Sequence, residues 1–139
     1  VKAVLQRVSR AAVAVDGETL ATIGPGLLVL LGVGHEDGER SAERLAEKIR
    51  ALRIFADADG RMNEPLGERE VLCVSQFTLY ADTARGNRPS FVAAAQPALA
   101  KDLYERVCEA LGAQRGRFGA HMVIDLTADG PVTIVLEVT

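Results

Sequence analysis

Tryptophan is absent from this 139-residue chain, and tyrosine and phenylalanine together bring aromatics to only 4%. Cysteine is nearly absent as well. Cys73 and Cys108 form no CxxC pair, so neither a disulfide framework nor a thiol redox motif is indicated. Each reads as a small buried hydrophobe, Cys73 in an apolar strand and Cys108 on the apolar edge of a helix. Only two histidines occur, His35 and His121, far apart and outside any ligand-spaced cluster, so no metal site or cofactor is expected. No apolar run approaches the roughly 20 residues of a membrane span; "GLLVLLGV" (26–33) fits a buried strand instead. The N-terminal VKAVLQRVSR lacks a signal-peptide pattern, and the expectation is a cytoplasmic protein. A net charge of −3 and a pI near 5.4 argue against wrapping duplex DNA, whose binders carry a broad basic footprint. A local basic patch that holds a few phosphates remains compatible with that charge. Also missing are GxSxG, a P-loop, HExxH and GxGxxG, so any chemistry must come from less familiar parts.

What is present is an ordinary globular composition, with 48% hydrophobic and 25% charged residues in a length that suits one domain. Residues 1–33 alternate with period two, and Asp16-Gly17 supplies a hairpin signal. From 41 to 54 the period becomes helical, with Ala42, Leu45, Ala46, Ile49 and Leu52 on one face. Asp, Gly, Asn and Pro make 56–70 a loop. "VLCVSQFTLY" (71–80) reads as an interior strand that turns polar in its second half. Gln76 and Thr78 would then share one face, and Ser75 and Phe77 the other. A polar loop with Arg85 and Arg88 follows. A second helix fits 97–111, opened by Pro97 and stopped by Gly112. Two last strands, about 121–127 and 132–138, would flank an Asp129-Gly130 hairpin turn. Pro131 falls at the first residue of the last strand, where proline is tolerated. The fold class is mixed α/β: a largely antiparallel or barrel-like sheet with two main helices.

Three segments invite a functional reading. A strand that turns polar inside a fold must satisfy those groups with each other, with water or with a ligand; on the residues alone, a strand leaving the core is the favoured reading of SQFTL. Arg85 and Arg88 suit phosphate, or simply a solvated loop. Gly130-Pro131 reads on local grounds as a turn, with a trans bond favoured.

In combination these segments resemble the D-aminoacyl-tRNA deacylase family. "SQFTL" (75–79) after an apolar strand, "RGNRPSF" (85–91), "GRF" (116–118) and "DGPVT" (129–133) stand in that family's order. "LQRV", "GLLVLLGV" and "LRIFADADGRMN" (52–63) are similar to it too. The resemblance implies a homodimer that hydrolyses the ester joining a D-amino acid to the tRNA 3′ end, without cofactor. It extends the substrate to glycine, as on mischarged tRNA-Ala. It implies that Gly130-Pro131 is cis and reaches into the partner's pocket, facing Ser75, Gln76, Phe77 and Thr78. Backbone carbonyls there would hold the substrate ammonium and reject L side chains. Phe77 N–H is the favoured oxyanion donor, with Thr78 as an alternative nucleophile or water-positioning group. Arg7, Arg85, Arg88, Phe118 and Met122 are candidates for holding the tRNA 3′ end, with 117–122 as a wall for the terminal adenine. The family commonly has Asn before Asp-Gly-Pro; here it is Ala128, so Arg7 or Thr133 is the expected brace. A non-catalytic RNA-binding module and an unrelated enzyme or structural dimer on the same fold are the competing readings.

Overall fold

A computed structural model describes all 139 residues. Eight strands and two helices follow in the order β1 (Lys2–Val15), β2 (Glu18–Ile23), β3 (Gly26–Gly32), α1 (Glu39–Ala51), β4 (Phe55–Ala56), β5 (Met62–Glu64), β6 (Glu70–Ser75), α2 (Pro97–Leu111), β7 (Gln114–Arg115) and β8 (Val123–Glu137). A 3-10 turn, Phe77–Tyr80, follows β6. The main sheet runs β2-β1-β3-β6-β7, and β8 pairs along the other side of β1. The β1–β2, β1–β3 and β1–β8 pairings are antiparallel; β3–β6 and β6–β7 are parallel. β2 returns against β6 and β7, so the sheet curls into a nearly closed barrel. This is the mixed, barrel-like class expected from the sequence.

Burial along β1 explains the curl. Val1, Ala3 and Leu5 face a core shared with both helices, whereas Val8, Ala11 and Val13 face a second core inside the curled sheet. The parity of the buried positions changes after Leu5 and again after Val8. The β1–β8 register shifts in those same intervals, between Gln6 and Val8 and between Val8 and Arg10. Regular alternation alone puts Leu5 and Val8 on opposite faces, whereas Val8 and Ala11 share one core because β1 carries an extra residue between Val8 and Arg10. β3 and β6 bury both faces at once: Leu27, Val29, Val71 and Cys73 toward the helices, Leu28, Leu72 and Val74 toward the inside. That is why both read as unbroken apolar runs. Gly26 permits the parallel approach, since a Cβ there would lie 1.8 Å from the Glu70 carbonyl oxygen.

α1 buries Ala42, Leu45, Ala46 and Ile49, as the periodicity requires, but spans 39–51 rather than 41–54. Ser41 folds back on its start, accepting from Gly38 N–H (2.9 Å) and donating to Gly38 C=O (2.8 Å). Leu52 is already extended and Ile54 enters the core from outside the helix. α2 matches its predicted limits. Pro97 occupies its first turn, and Gly112 closes it in the left-handed region at φ 59°.

Three expectations need correction. The 56–70 segment is not wholly loop, because β4 and β5 form a small antiparallel hairpin. β6 stops at Ser75, so Gln76 through Leu79 do not alternate between the faces of a strand. The carboxyl-terminal segment is one strand of 15 residues, not two strands around a hairpin turn. β1 is long enough to pair with β8 from Lys2 to Ala14, and that ladder keeps the chain going straight through Asp129-Gly130.

Candidate active site

β6 ends where its neighbour does. Gln76 N–H makes the last rung to Leu31 C=O (2.7 Å), and the chain then tightens as Leu79 N–H closes on Gln76 C=O (3.2 Å). The N–H groups of Phe77 and Thr78 precede that first internal bond and take no part in the turn's own ladder. Phe77 and Thr78 are exposed, while Ser75 and Gln76 are half-buried. Gln76 Nε2 donates to Thr78 Oγ1, so the two polar side chains satisfy each other.

Two glycines that the sequence reading passed over set the turn's position. A Cβ on Gly32 would lie 3.0 Å from the Gln76 carbonyl oxygen and 3.1 Å from Leu79 Cβ. One on Gly34 would lie 2.8 Å from the Tyr80 ring. Their bareness lets the turn lie directly on the end of β3. Tyr80 O–H donates to Asp37 Oδ2 (3.2 Å), which also accepts Gly34 N–H (2.7 Å). Burial, then the Asp37 charge, pushes the Tyr80 phenol well above its ordinary range. It therefore stays a donor, and this bond pins the last residue of the turn. The signal for it was the spacing GVGHED (32–37), legible only once the turn was known to sit on it.

The turn borders an apolar cavity of about 450 Å³. Ser75, Gln76 and Phe77 form one wall, and Phe118, Met122 and Ile124 face them. Five of the predicted residues, Ser75, Gln76, Phe77, Phe118 and Met122, thus meet at one cavity, and the size suits a small ligand. Gly116 shapes that wall, because a Cβ there would lie 2.4 Å from Met122 Sδ. His121 also borders the cavity, an exposed side chain that the sequence reading set aside. Cys73 lies behind the wall, wholly buried; the neighbouring Cys108 side chain, then burial, raises its thiol, which stays protonated. Arg85 and Arg88 stand on the exposed 82–90 loop, and Arg7 lies elsewhere altogether.

Arg7 marks the second feature. In the β1–β8 ladder Gln6 pairs with Thr133 and Val8 with Ala128, so residues 129–132 stand opposite Arg7 alone. The surplus chain is extruded as a bulge carrying Gly130 (φ 126°) and Pro131, joined by a cis peptide bond. Both residues are exposed. Arg7 Nε donates to the Asp129 carbonyl (3.1 Å) and pairs with its carboxylate (3.3 Å), while Nη1 donates to the Ile54 carbonyl (2.8 Å). On the other side Gln6 Nε2 donates to the Val132 carbonyl (3.3 Å), and Thr133 Oγ1 donates to Gln6 Oε1 (2.6 Å). Side chains of β1 therefore grip the bulge at both ends where Ala128 offers nothing. Ile124 at the cavity pairs with Val13, six residues along β1 from Arg7, which is roughly 20 Å. One chain does not bring its bulge to its own cavity.

The chain thus combines a curled mixed sheet, a backbone turn at a cavity mouth and an exposed bulge with a cis Gly-Pro bond. This chain belongs to the D-Tyr-tRNA(Tyr) deacylase family, a family of ester hydrolases whose model matches residues 4–137. A D-aminoacyl-tRNA deacylase of Dehalococcoides mccartyi strain BAV1 is 57% identical over 143 residues, covering 98% of this chain and 94% of that protein. Its counterpart in Deinococcus deserti is 55% identical and covers 99% of each. A solved structure described as a c-Myc DNA unwinding element binding protein is 41% identical, with a TM-score of 0.92 over 99% of this chain and 98% of that one.

Proposed function

We propose that this chain hydrolyses the ester between a D-amino acid, or glycine, and the 3′ end of tRNA, at a site completed by a second copy of itself. The observation that carries the reading is the start of the Phe77–Tyr80 turn, with unengaged backbone donors at Phe77 and Thr78, at the mouth of an apolar cavity. Ester hydrolysis passes through a tetrahedral oxyanion, and donors fixed in advance lower its energy. Phe77 N–H is the foremost donor here. The terminal adenine takes the cavity, against the wall that carries Phe118 and Met122. Thr78 Oγ already accepts from Gln76 and has no base of its own, which makes it a poor nucleophile. The ribose 2′-OH of the substrate then assists in activating water.

Selectivity needs something at the mouth that meets the α-carbon. The Gly130-Pro131 bulge is exposed and distant from its own cavity, so it suits a partner's. Its carbonyl oxygens hold the α-ammonium, and an L side chain then meets backbone. Glycine has no side chain to reject, so glycyl-tRNA, as on mischarged tRNA-Ala, is cleaved too. The free edge of β8, with exposed Val123, Leu126 and Val135, supports a homodimer, since a long open apolar edge invites pairing.

Incubation with D-tyrosyl-tRNA and L-tyrosyl-tRNA side by side tests the reading. The expected outcome is loss of the D ester alone; equal cleavage or none overturns it. Thr78→Ala and His121→Ala should each keep turnover within about tenfold of the parent, less than the 10²–10³ that an essential oxyanion donor carries. A terminal 2′-deoxyadenosine substrate should instead be cleaved far more slowly. Sedimentation should give a dimer.

A further inference from the structure

Phe77 and Phe91 are 54% and 37% exposed and meet edge to face, with ring centroids 5.0 Å apart. Phe77 borders the cavity, and Phe91 extends the apolar surface outward from it. Beyond Phe91 lies the 82–90 loop, closed at its neck by two backbone bonds between Asp82 and Ser90 (2.7 and 2.9 Å). His35 Nε2 donates to the Val92 carbonyl and fixes the chain just past Phe91. The loop carries Arg85 and Arg88, both exposed and neither paired with a carboxylate. Its one acid, Asp82, turns inward to accept Ala84 N–H (2.9 Å).

Two open aromatic faces beside two free guanidinium groups are the elements of a single-strand nucleic-acid site. The rings offer π-surface to bases and the cations follow the backbone. In a chain with a net charge of −3 this local excess of positive charge points to an anion, and a second copy of an acidic chain already has the β8 edge to cover. We propose that Phe77, Phe91, Arg85 and Arg88 form a stacking platform for the unpaired nucleotides that precede the terminal nucleoside of the RNA. The proposal rests on the deacylase reading for what fills the cavity, and extends it to the nucleotides outside. Phe91 takes a base, and the two arginines take the flanking phosphates.

The test is binding, read by fluorescence anisotropy with a short single-stranded RNA ending in ACCA, and by competition with adenosine alone. Phe91→Ala should weaken the oligonucleotide about 5- to 160-fold, the range for one lost base–aromatic stack, and leave adenosine within twofold. Phe91→Tyr, which keeps the ring, should restore the oligonucleotide. Removing both Arg85 and Arg88 should lower the slope of log K against log salt by about 1.4, at roughly 0.7 per phosphate on a single strand. Equal losses for oligonucleotide and adenosine, or no loss for either, overturn the platform. So does a dimer that falls apart on Phe91→Ala, which would assign this surface to the second copy. Since the readout is binding, failure to cleave D-tyrosyl-tRNA would remove the deacylase reading while the platform result still stands or falls by itself.

Discussion

The turn after β6 and the bulge in β8 both break a strand, yet they are built in opposite ways. The turn is seated on buried structure: Gly32 and Gly34 admit it, Asp37 pins it, and a cavity opens beside it. The bulge stands on the surface, held only by Gln6 and Arg7 from the neighbouring strand. One is a wall of a site and is meaningful within a single chain. The other has nothing of its own chain to act on. On the proposed reading, in which a second copy's bulge completes the cavity, assembly is a condition of activity. Disturbing the turn should therefore impair chemistry, and disturbing the bulge should impair what is admitted and how it is held.

The bulge offers the largest effect. A Cβ on Gly130 would lie 2.9 Å from Val132 N, 3.0 Å from Val132 Cγ2 and 3.1 Å from Arg7 Nη2, at a φ of 126° that side chains rarely adopt. Gly130→Ala must displace the bulge by tenths of an ångström or more. Misplacement on the scale of 1 Å costs about 100-fold, and that loss is expected in kcat/KM on D-tyrosyl-tRNA. The local strain is about 1–3 kcal/mol, so a small fall in thermal midpoint should accompany it. Full activity would show that the bulge is peripheral and collapse the contrast.

Gly34→Ala strikes the turn instead. Its Cβ would sit 2.8 Å from Tyr80 Cε1, so the ring must move and the turn with it. A loss of about tenfold in kcat is expected, with KM little changed, because the cavity wall at Phe118 and Met122 is untouched. A rise in KM alone would mean that the turn binds and does not take part in the reaction.

Arg7→Met tests the grip on the bulge without altering the bulge itself. It removes the bonds to the Asp129 and Ile54 carbonyls and the ion pair with Asp129. The Arg7 side chain is only 13% exposed and its bond to the Ile54 carbonyl is partly buried, so that carbonyl is the one left poorly reached by water. Destabilisation of about 1–3 kcal/mol is expected from denaturant titration, the range for hydrogen bonds to charged groups. Activity should fall by less than in Gly130→Ala, since Gln6 and Thr133 still hold the other end.

Legibility in the sequence divides along the same line as the two regions. α2 could be bounded to the residue because its signals, Pro97 and Gly112, act locally. The alternating and apolar runs that became β1, β3 and β6 were equally plain. The bulge was misread for the opposite reason. Asp129-Gly130 has the chemistry of a hairpin turn, but whether a chain reverses there depends on a partner, and β1 lies more than a hundred residues away. Ser75 likewise ends β6 because Leu31 is the last carbonyl β3 can offer, a limit that no residue within 71–80 encodes. The cavity's far wall, Phe118 and Met122, was anticipated only through family resemblance, whereas Gly34 and Asp37 carried no motif and Gly32 stood in GLLVLLGV without a role.

The smallest predicted effect separates the turn's pin from its chemistry. Tyr80 donates to Asp37, and burial holds its phenol protonated well above the pH at which a free tyrosine ionises. Tyr104, buried and donating to the Cys73 carbonyl (2.8 Å), is raised in the same direction. Below about pH 10 both states of the protein keep these protons, so folding is insensitive to pH through them. Above it the unfolded chain releases protons that the folded chain retains, and stability must fall as pH rises. In Tyr80→Phe one of the two contributions is gone, so the alkaline decline between about pH 10 and 12 should be shallower than in the parent. At pH 7 the same variant loses one hydrogen bond and should be less stable by about 0.5–1.5 kcal/mol, with hydrolysis reduced only severalfold. An unchanged alkaline slope would mean that the phenol is not shielded as the turn's seating on Gly34 requires. The turn would then owe its position to the β3 backbone and not to Asp37.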